Sequence, residues 1–208
     1  MFFNGEIYLS KKYFTKTFIE NGINIGYIDG SNKVLFIKTG QGGSIFGYEN
    51  KYLNLAVWAK EQYGCSVVVS STSVDTQDAY DYDMNFLEQI AGENIEVYYL
   101  GVSKGGLIGC WYGLEDGRIK RMTTVNAPLM INYHNRTLPA LKKATQEQLT
   151  MIYGSEDPSA FYTQSVAKYV KVEIIEGEDH YLKNGKTSLI QIVDKYLLFD
   201  LRIKNNKK

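Results

Sequence analysis

Residues that build disulfide frameworks, metal centres and linkers are scarce in this chain. Its 208 residues include two cysteines, two histidines and three prolines. Cys65 and Cys110 are too few and too far apart for a disulfide framework or a metal-ligand cluster, and the two distant histidines add no ligand spacing. We therefore expect two buried free thiols and no bound metal. The sequence also contains no internal repeat, low-complexity tract or linker.

Net charge is lacking as well, because 23 Lys and Arg residues balance 23 Asp and Glu residues. The chain has no excess of basic residues that would indicate a nucleic-acid partner. It also has no excess of acidic residues that would indicate a solvating tail. Residues 1–6 lack the charged region and apolar core of a secretory signal, and no apolar run approaches the length of a membrane span. We therefore expect a cytoplasmic protein with no membrane span, and we interpret residues 204–208 as a frayed end.

Strand-like and helix-like patterns alternate along most of the chain. Short, continuous apolar runs are typical of parallel strands that are buried on both faces, and helical patterns separate these runs. The alternation predicts a three-layer α/β/α sandwich with a mostly parallel central sheet. No clear crossover helix joins the strand-like runs 6–9 and 23–28, which predicts an antiparallel edge at the N-terminus. The later strands are predicted over residues 34–37, 67–69, 95–100, 121–125, 149–153 and 170–175.

Helical spacing of apolar residues fills the segments between the predicted strands. The first helix carries apolar residues at 52, 55, 56 and 59 and meets a stop signal at Gly64. Asp75, with Asp78 three residues on, predicts the N-cap of a second helix. Residues 126–148 are an excursion in place of a cap, within a single domain over residues 1–208. Further helices are predicted over residues 104–114, 138–148, 159–169 and 189–197.

A G-x-S-x-G pattern follows the predicted strand 95–100 directly, with Ser103 between Gly101 and Gly105. A serine on a strained turn between a strand and a helix holds its Oγ clear of the backbone. Glycines two residues before and after it allow neighbouring segments to approach without Cβ clashes. Chance alone supplies the pattern in roughly one chain in ten of this size. A simple tight-turn serine is therefore the alternative interpretation, and the context must decide.

Two further polar residues follow predicted strands, at the edge where an open parallel sheet gathers functional groups. Asp157 follows the strand 149–153, and His180 follows the strand 170–175. The chain order of Ser103, Asp157 and His180 is the order expected for a hydrolase triad on such a sheet. Asp157 has a second interpretation as the cap of a helix that begins near residue 159. The alternative base is His134, and the alternative acids are Asp75, Glu156, Glu178 and Asp179.

These motifs resemble the α/β-hydrolase superfamily over about residues 30–200. The resemblance rests on residues 101–106, 154–158 and 177–181, together with 39–43, which are similar to the family's oxyanion loop. That loop often begins with His-Gly, and Thr39 stands here in place of the histidine. The resemblance implies a nucleophilic Ser103, a general base His180 and an orienting Asp157. It also implies an oxyanion hole made by the backbone N–H groups of Gln41 and Lys104.

A small serine hydrolase with a minimal cap or none is the function that this resemblance implies. Its substrate is expected to be a small-molecule carboxylic ester or thioester, without nucleic acid and without a cofactor. A peptidase and an acyltransferase use the same triad, and a non-catalytic binding protein can share the scaffold. Tyr48 and Tyr181 are candidates for the pocket wall. Nothing in the sequence indicates the oligomeric state.

Overall fold

The computed structural model describes residues 13–20, 23–71 and 76–201, which contain one eight-stranded sheet and six α-helical segments. The strands are β1 (Lys16–Glu20), β2 (Ile23–Ile28), β3 (Ser31–Lys38), β4 (Cys65–Ser70), β5 (Glu96–Val102), β6 (Ile119–Val125), β7 (Leu149–Gly154) and β8 (Lys171–Ile175). The helices are α1 (Lys51–Tyr63), α2 (Gln77–Ala91), α3 (Lys104–Ile108), α4 (Leu138–Leu141), α5 (Thr163–Val166) and α6 (Leu189–Ile192). The predicted run 6–9, Asp75 and the end 204–208 lie outside the described residues.

The strand order in the sheet is β1-β2-β4-β3-β5-β6-β7-β8. Each neighbouring pair from β4 to β8 is parallel, whereas β2 pairs antiparallel with both β1 and β4. This arrangement confirms the predicted parallel sheet with an antiparallel edge near the N-terminus. The order reverses at β3, which lies between β4 and β5. Such a reversal opens a crevice at the carboxyl ends of the strands.

Both faces of the sheet are covered, so its central strands are apolar on both sides. In β3, Leu35 and Ile37 pack into one core with α1 and α6, while Val34 and Phe36 pack into the other core with α2 and α3. All four side chains are at most 1% exposed. Burial of successive side chains on opposite faces explains why these strands are continuous apolar runs in the sequence. The helical layers complete the predicted α/β/α sandwich.

Close packing of the helix after Ser103 against the sheet is confirmed. The predicted helix 104–114 consists of α3 followed by a π-helical turn over Gly109–Gly113. A Cβ atom on Gly109 would lie 2.5 Å from Cε1 of Tyr99 in β5. Only glycine therefore allows this approach without displacing the ring.

The structure corrects three helical predictions. The side chain that caps α2 is Thr76, whose Oγ1 accepts from the Ala79 N–H at 3.2 Å. The predicted helix 138–148 ends early, because the Thr145 hydroxyl accepts from the Gln148 N–H and forms a local turn instead. The predicted helix 159–169 divides into a 3-10 turn over Pro158–Tyr162 and the short α5. At that division the Thr163 hydroxyl donates to the Ala160 carbonyl at 2.7 Å.

The excursion over residues 126–148 packs against the helical segment that follows Ser103. Trp111 Nε1 donates to Thr137 Oγ1 at 3.0 Å, and Gln148 Nε2 donates to the Leu114 carbonyl at 2.7 Å. No helix within residues 13–20, 23–71 and 76–201 has the length and apolar character needed to cross a membrane.

Candidate active site

Four loops at the carboxyl ends of the parallel strands bring the predicted site residues together. Residues 39–43 follow β3, and Ser103 follows β5, the neighbour of β3 in the sheet. Asp157 follows β7, and His180 follows β8, which pairs with β7 at the edge. All four parallel strands end on the same side, so distant parts of the sequence meet there.

Ser103 occupies a strained turn between β5 and α3. Its backbone angles are φ 52° and ψ −121°, outside the regions that a side chain normally permits. A residue held in such a conformation costs about 1–3 kcal/mol, which the surrounding structure must offset. Part of that support is the Ser103 N–H, which donates to the Val125 carbonyl at 2.8 Å. The turn therefore presents the hydroxyl to the cleft, as the G-x-S-x-G pattern predicts.

The glycines around Ser103 are required by close backbone contacts. A Cβ atom on Gly101 would lie 2.5 Å from the Gly106 Cα, and one on Gly105 would lie 2.2 Å from the Lys38 carbonyl oxygen. Gly40 is similarly restricted, because its Cβ would approach the Ser103 Cβ at 3.1 Å. These contacts pack the serine turn directly against the end of β3 and the loop that follows it.

His180 links the serine to the acid. Its Nε2 lies 3.2 Å from the Ser103 Oγ, and its Nδ1 contacts the Asp157 Oδ2. The imidazole is 34% exposed, whereas the Asp157 side chain is fully buried. A neutral imidazole with its proton on Nδ1 donates to the carboxylate and leaves the Nε2 lone pair facing the serine hydroxyl.

Asp157 makes the contacts that both interpretations of its sequence position require. Its Oδ1 accepts from the Ser159 N–H at 2.7 Å and caps the 3-10 turn, while Oδ2 faces the imidazole. The cap fixes the carboxylate plane, which orients the second oxygen toward His180. The two roles therefore support each other.

The alternative acids that are described contact other groups. Glu178 is fully buried, and its carboxylate accepts from the backbone N–H groups of residues 184, 186 and 187. Asp179 accepts from the N–H groups of Tyr181 and Lys183. The alternative base, His134, lies in the excursion with its ring against Tyr133. Glu156 accepts from the Asn184 side-chain amide at 3.4 Å. The carboxylate that contacts the His180 imidazole is that of Asp157, and the imidazole that contacts the Ser103 hydroxyl is that of His180.

The loop over residues 39–43 is anchored from within. Thr39, which stands where the family often has histidine, is 1% exposed, and its hydroxyl reaches the Gly40 and Gly43 carbonyls at 3.3 and 3.4 Å. The Gly43 N–H donates to the Gly40 carbonyl and closes the turn. Gln41 lies within this turn, beside Ser103, and Lys104 is the first residue of α3.

An open cleft of about 480 Å³ lies over these loops. Tyr48 and Tyr181 line it, as expected, and no residue of the excursion 126–148 does. The described residues that line it are Gly40, Gln41, Gly42, Gly43, Ser44, Gly47, Tyr48, Lys51, Tyr52, Val102, Ser103, His180 and Tyr181. The serine hydroxyl is therefore accessible to a small molecule from the surface.

No family model and no curated protein matches this sequence, whereas many solved structures match its backbone. Est1E from Butyrivibrio proteoclasticus superposes with a TM-score of 0.67 at 13% identity, covering 92% of this chain and 97% of that chain. An α/β serine hydrolase homologue from Coxiella burnetii superposes with a TM-score of 0.64 at 12% identity, covering 86% of this chain and 96% of that chain. The chain has the α/β-hydrolase fold.

A third structure is similar to this one in size as well as in backbone. XC6422 from Xanthomonas campestris, an α/β serine hydrolase without a lid, has a TM-score of 0.60 at 14% identity over 83% of this chain and 86% of that chain. Est1E has also been solved with ferulic acid bound. At these identities the likeness concerns the α/β-hydrolase backbone alone.

Asn126 is a site residue that sequence reasoning missed, because it lies in the least patterned segment. It is fully buried at the end of β6, and its Nδ2 donates to the Asp179 and His180 carbonyls at 3.1 and 2.8 Å. Its Oδ1 accepts from the Gly154 N–H at 2.9 Å. One amide therefore connects the His180 loop to the strand that precedes Asp157. The only sequence signal was an asparagine directly after a strand.

A buried ion pair below the loop 39–43 was also missed. Lys38 and Asp83 are 1% and 2% exposed, and the ammonium contacts both the Asp83 carboxylate and the Ser70 hydroxyl. Burial lowers the pKa of Lys38, and the charge of Asp83 opposes that shift. The pair joins the end of β3 to β4 and α2, so it fixes the base of the loop. A lysine at a strand end gives no sequence signal for such a partner.

The expectation of free, buried thiols is confirmed, since Cys65 and Cys110 are buried and unpaired by any disulfide. Burial raises the pKa of Cys65 to about 11 and that of Cys110 to about 12. Both thiols therefore stay protonated at neutral pH. Across the described ranges 13–20, 23–71 and 76–201, no group of three or more His, Cys, Asp or Glu side chains is arranged to hold a metal ion.

Proposed function

We propose that the chain is a serine hydrolase that cleaves a carboxylic ester or thioester through an acyl-enzyme. The observation that carries the proposal is the continuous contact from Ser103 through His180 to Asp157. A nucleophile, a base and a group that orients the base, each within hydrogen-bonding reach of the next, form the arrangement that acyl transfer requires. The strained turn at Ser103 supports the same conclusion.

In the first step the Ser103 Oγ attacks the carbonyl carbon of the substrate. His180 Nε2 accepts the hydroxyl proton, and Asp157 stabilises the resulting imidazolium through Nδ1. The carbonyl π electrons move to oxygen, which becomes the oxyanion of a tetrahedral intermediate. When the intermediate collapses, Nε2 returns its proton to the leaving alkoxide or thiolate, and the acyl group remains on Ser103.

The oxyanion accepts hydrogen bonds from the backbone N–H groups of Gln41 and Lys104 in this mechanism. Gln41 belongs to the anchored turn 39–43, and Lys104 begins α3 directly after the serine. Losing one such donor typically costs about 3 kcal/mol of barrier. Backbone donors make no demand on side-chain identity, so neither Gln41 nor Lys104 has to be of a particular type.

In the second step water attacks the acyl-enzyme while His180 accepts its proton, and the carboxylic acid leaves as the serine hydroxyl is restored. Apart from the substrate, every group that takes part in these two steps is water or belongs to this chain, so the mechanism uses no cofactor. The open cleft, which the excursion 126–148 does not line, suits a small acyl ester or thioester.

The proposal is tested with a panel of p-nitrophenyl esters of increasing chain length, acyl thioesters and aminoacyl anilides. We expect turnover of esters or thioesters and little activity on anilides. Anilides have an amide bond and a poorer leaving group, so efficient cleavage of anilides would indicate a peptidase. Addition of an alcohol or amine acceptor separates hydrolysis from acyl transfer, because a transferase diverts the acyl group to the acceptor.

Ser103→Ala is the matched control in this panel. It removes one oxygen at a position whose side chain has no role in the core, so the fold is expected to persist. We expect its turnover to fall by at least 10⁴-fold with unchanged circular dichroism. Equal turnover by the wild type and Ser103→Ala would exclude Ser103 as the nucleophile.

A further inference from the structure

The cleft over Ser103 continues into a second cleft of about 540 Å³. Tyr48, Lys51 and Tyr181 line both, so the two form one groove that leads away from the serine. Lys183 lies on the wall of the second part. A substrate that is bound at Ser103 and is longer than the first cleft therefore has room to extend past these four side chains.

Lys183 is held close to the proposed catalytic base. Its Nζ lies 4.6 Å from the ring centre of Tyr48 and 4.7 Å from that of Tyr181. The Tyr181 ring in turn meets the His180 ring edge-on, with 5.3 Å between ring centres and an interplanar angle of 88°. One tyrosine ring therefore separates the ammonium group from the imidazole. Two aromatic faces also fix a side chain that would otherwise move freely.

Lys51 adds a second positive charge at the junction of the two clefts. Its side chain is partly buried, and burial, followed by the charge of Lys183, lowers its pKa, while Asp179 opposes the shift. Lys51 and Lys183 both line the second cleft, so the two ammonium groups face the same space. A concave wall with two like charges concentrates positive potential there.

Asp179 offsets part of this charge, because its carboxylate interacts electrostatically with both ammonium groups. Asp179 accepts from the backbone N–H groups of Tyr181 and Lys183, and Glu49 interacts with the Tyr48 hydroxyl. Within the described part of the chain, neither Lys51 nor Lys183 forms an ion pair with a carboxylate within 4.0 Å. Two cations with no described carboxylate within 4.0 Å, in a groove that begins at the nucleophile, are suited to an anion supplied by the substrate.

We propose that Lys51 and Lys183 form a subsite for an anionic group of the substrate, a carboxylate or phosphate carried a few bonds beyond the scissile carbonyl. The proposal rests on the proposed hydrolase function and specifies its substrate class. Tyr48 and Tyr181 bound the subsite and accommodate the apolar atoms between the carbonyl and the anion. An anion there pairs with both ammonium groups and relieves their mutual repulsion.

The test compares two pairs of substrates that differ in charge but share the scissile bond. The carboxylate pair is p-nitrophenyl hydrogen adipate and its neutral methyl ester. The phosphate pair is p-nitrophenyl 4-phosphonobutanoate, whose phosphonate represents a phosphate, and its neutral diethyl phosphonate ester. For each pair we measure the ratio of kcat/KM for the charged over the neutral member. The ratio removes changes that affect turnover of both members equally.

We expect the wild type to prefer the charged member of one pair, and that pair identifies the anion. Lys51→Gln and Lys183→Gln should each lower the preference about three- to fivefold, the change expected when a partly screened ion pair is lost. Lys60→Gln, on the same helix as Lys51 but outside both clefts, is the matched control and should leave the ratio unchanged. Added 0.5 M NaCl should lower the wild-type preference without any substitution.

The subsite proposal is overturned if the wild-type ratio of kcat/KM for the charged over the neutral member is near one in both pairs. It is also overturned if the preference for the charged member persists in both lysine variants. Turnover of the neutral esters in that case leaves the hydrolase proposal intact. If neither pair is turned over and a neutral fluorophosphonate does not label Ser103, the hydrolase proposal fails and the subsite fails with it.

Discussion

At the scale of single residues, the Asp157 carboxylate makes two contacts at once, one with the backbone and one with the proposed catalytic base. One oxygen accepts from the Ser159 N–H, and the other faces His180. In the sequence these were competing interpretations, because a helix cap and a triad acid both suit an aspartate after a strand. The structure brings both contacts to the same side chain. Glu178 and Asp179, the two acids that directly precede His180 in the sequence, accept hydrogen bonds from backbone N–H groups instead.

Substitution of Asp157 by asparagine separates its two roles. The amide oxygen of Asp157→Asn can still accept from the Ser159 N–H, so we expect stability to change by less than about 1 kcal/mol. The negative charge that stabilises the imidazolium is lost, and the amide can favour the wrong tautomer. We therefore expect kcat/KM to fall by about 10³–10⁴-fold. Steady-state kinetics with thermal unfolding of the same samples measures both quantities.

Glu178→Gln is the comparison for this variant, since it removes a buried carboxylate close to His180 that contacts only the backbone of its loop. It should lower stability by about 1–3 kcal/mol and reduce kcat/KM far less than Asp157→Asn does. A silent Asp157→Asn beside an inactive Glu178→Gln would show that the acid is wrongly assigned.

At the scale of elements, the contact between α3 and the end of β3 determines the shape of the site. Gly105, in the first turn of α3, lies against the Lys38 carbonyl. One proposed oxyanion donor, the Gln41 N–H, lies in the loop that follows β3, and the other, the Lys104 N–H, lies at the start of α3. An increase in the distance between β3 and α3 therefore moves the two donors apart.

Gly105→Ala tests this contact, because its Cβ would lie 2.2 Å from the Lys38 carbonyl oxygen. Helix propensity alone would make the alanine stabilising by about 1 kcal/mol. We expect the clash to dominate, with a net loss of about 1–3 kcal/mol in the free energy of unfolding and more than tenfold in kcat/KM. Denaturant unfolding and ester kinetics measure the two effects.

Gly117→Ala is the matched control, since no atom lies within 4 Å of the Cβ that it would add. It should leave both the free energy of unfolding and the kinetics nearly unchanged. If Gly105→Ala behaves like Gly117→Ala, the two elements are not in the close contact described.

The strands of the parallel sheet were predictable from the sequence, whereas the short helices were not. Because each strand is buried on both faces, its sequence is a continuous apolar run, and such a run can be recognised from the local sequence alone. The segments 138–148 and 159–169 instead contain threonine hydroxyls that bond to nearby backbone groups. Such bonds break a helix without disturbing its apolar spacing. The residue that caps α2 was also missed, because Asp75 is the better cap by residue type and Thr76, the observed cap, directly follows it.

At the scale of the whole molecule, the site depends on strand order, which no single motif encodes. The order reverses at β3 and brings the loop 39–43 beside Ser103, while β7 and β8 bring Asp157 to His180. The type and chain order of these residues were enough to predict that they meet. Asn126 and the Lys38–Asp83 pair were not predictable, because their partners are 28 or more positions away in the chain.

The central claim is that Ser103 is a nucleophile activated by His180, and covalent labelling tests it most directly. A fluorophosphonate probe reacts with an activated serine, and peptide mass mapping locates the adduct. We predict one adduct per chain, on Ser103, abolished in Ser103→Ala and slowed at least 10²-fold in His180→Ala. An unlabelled Ser103 in protein shown by circular dichroism to be folded, or equal labelling rates in the wild type and His180→Ala, would contradict the account.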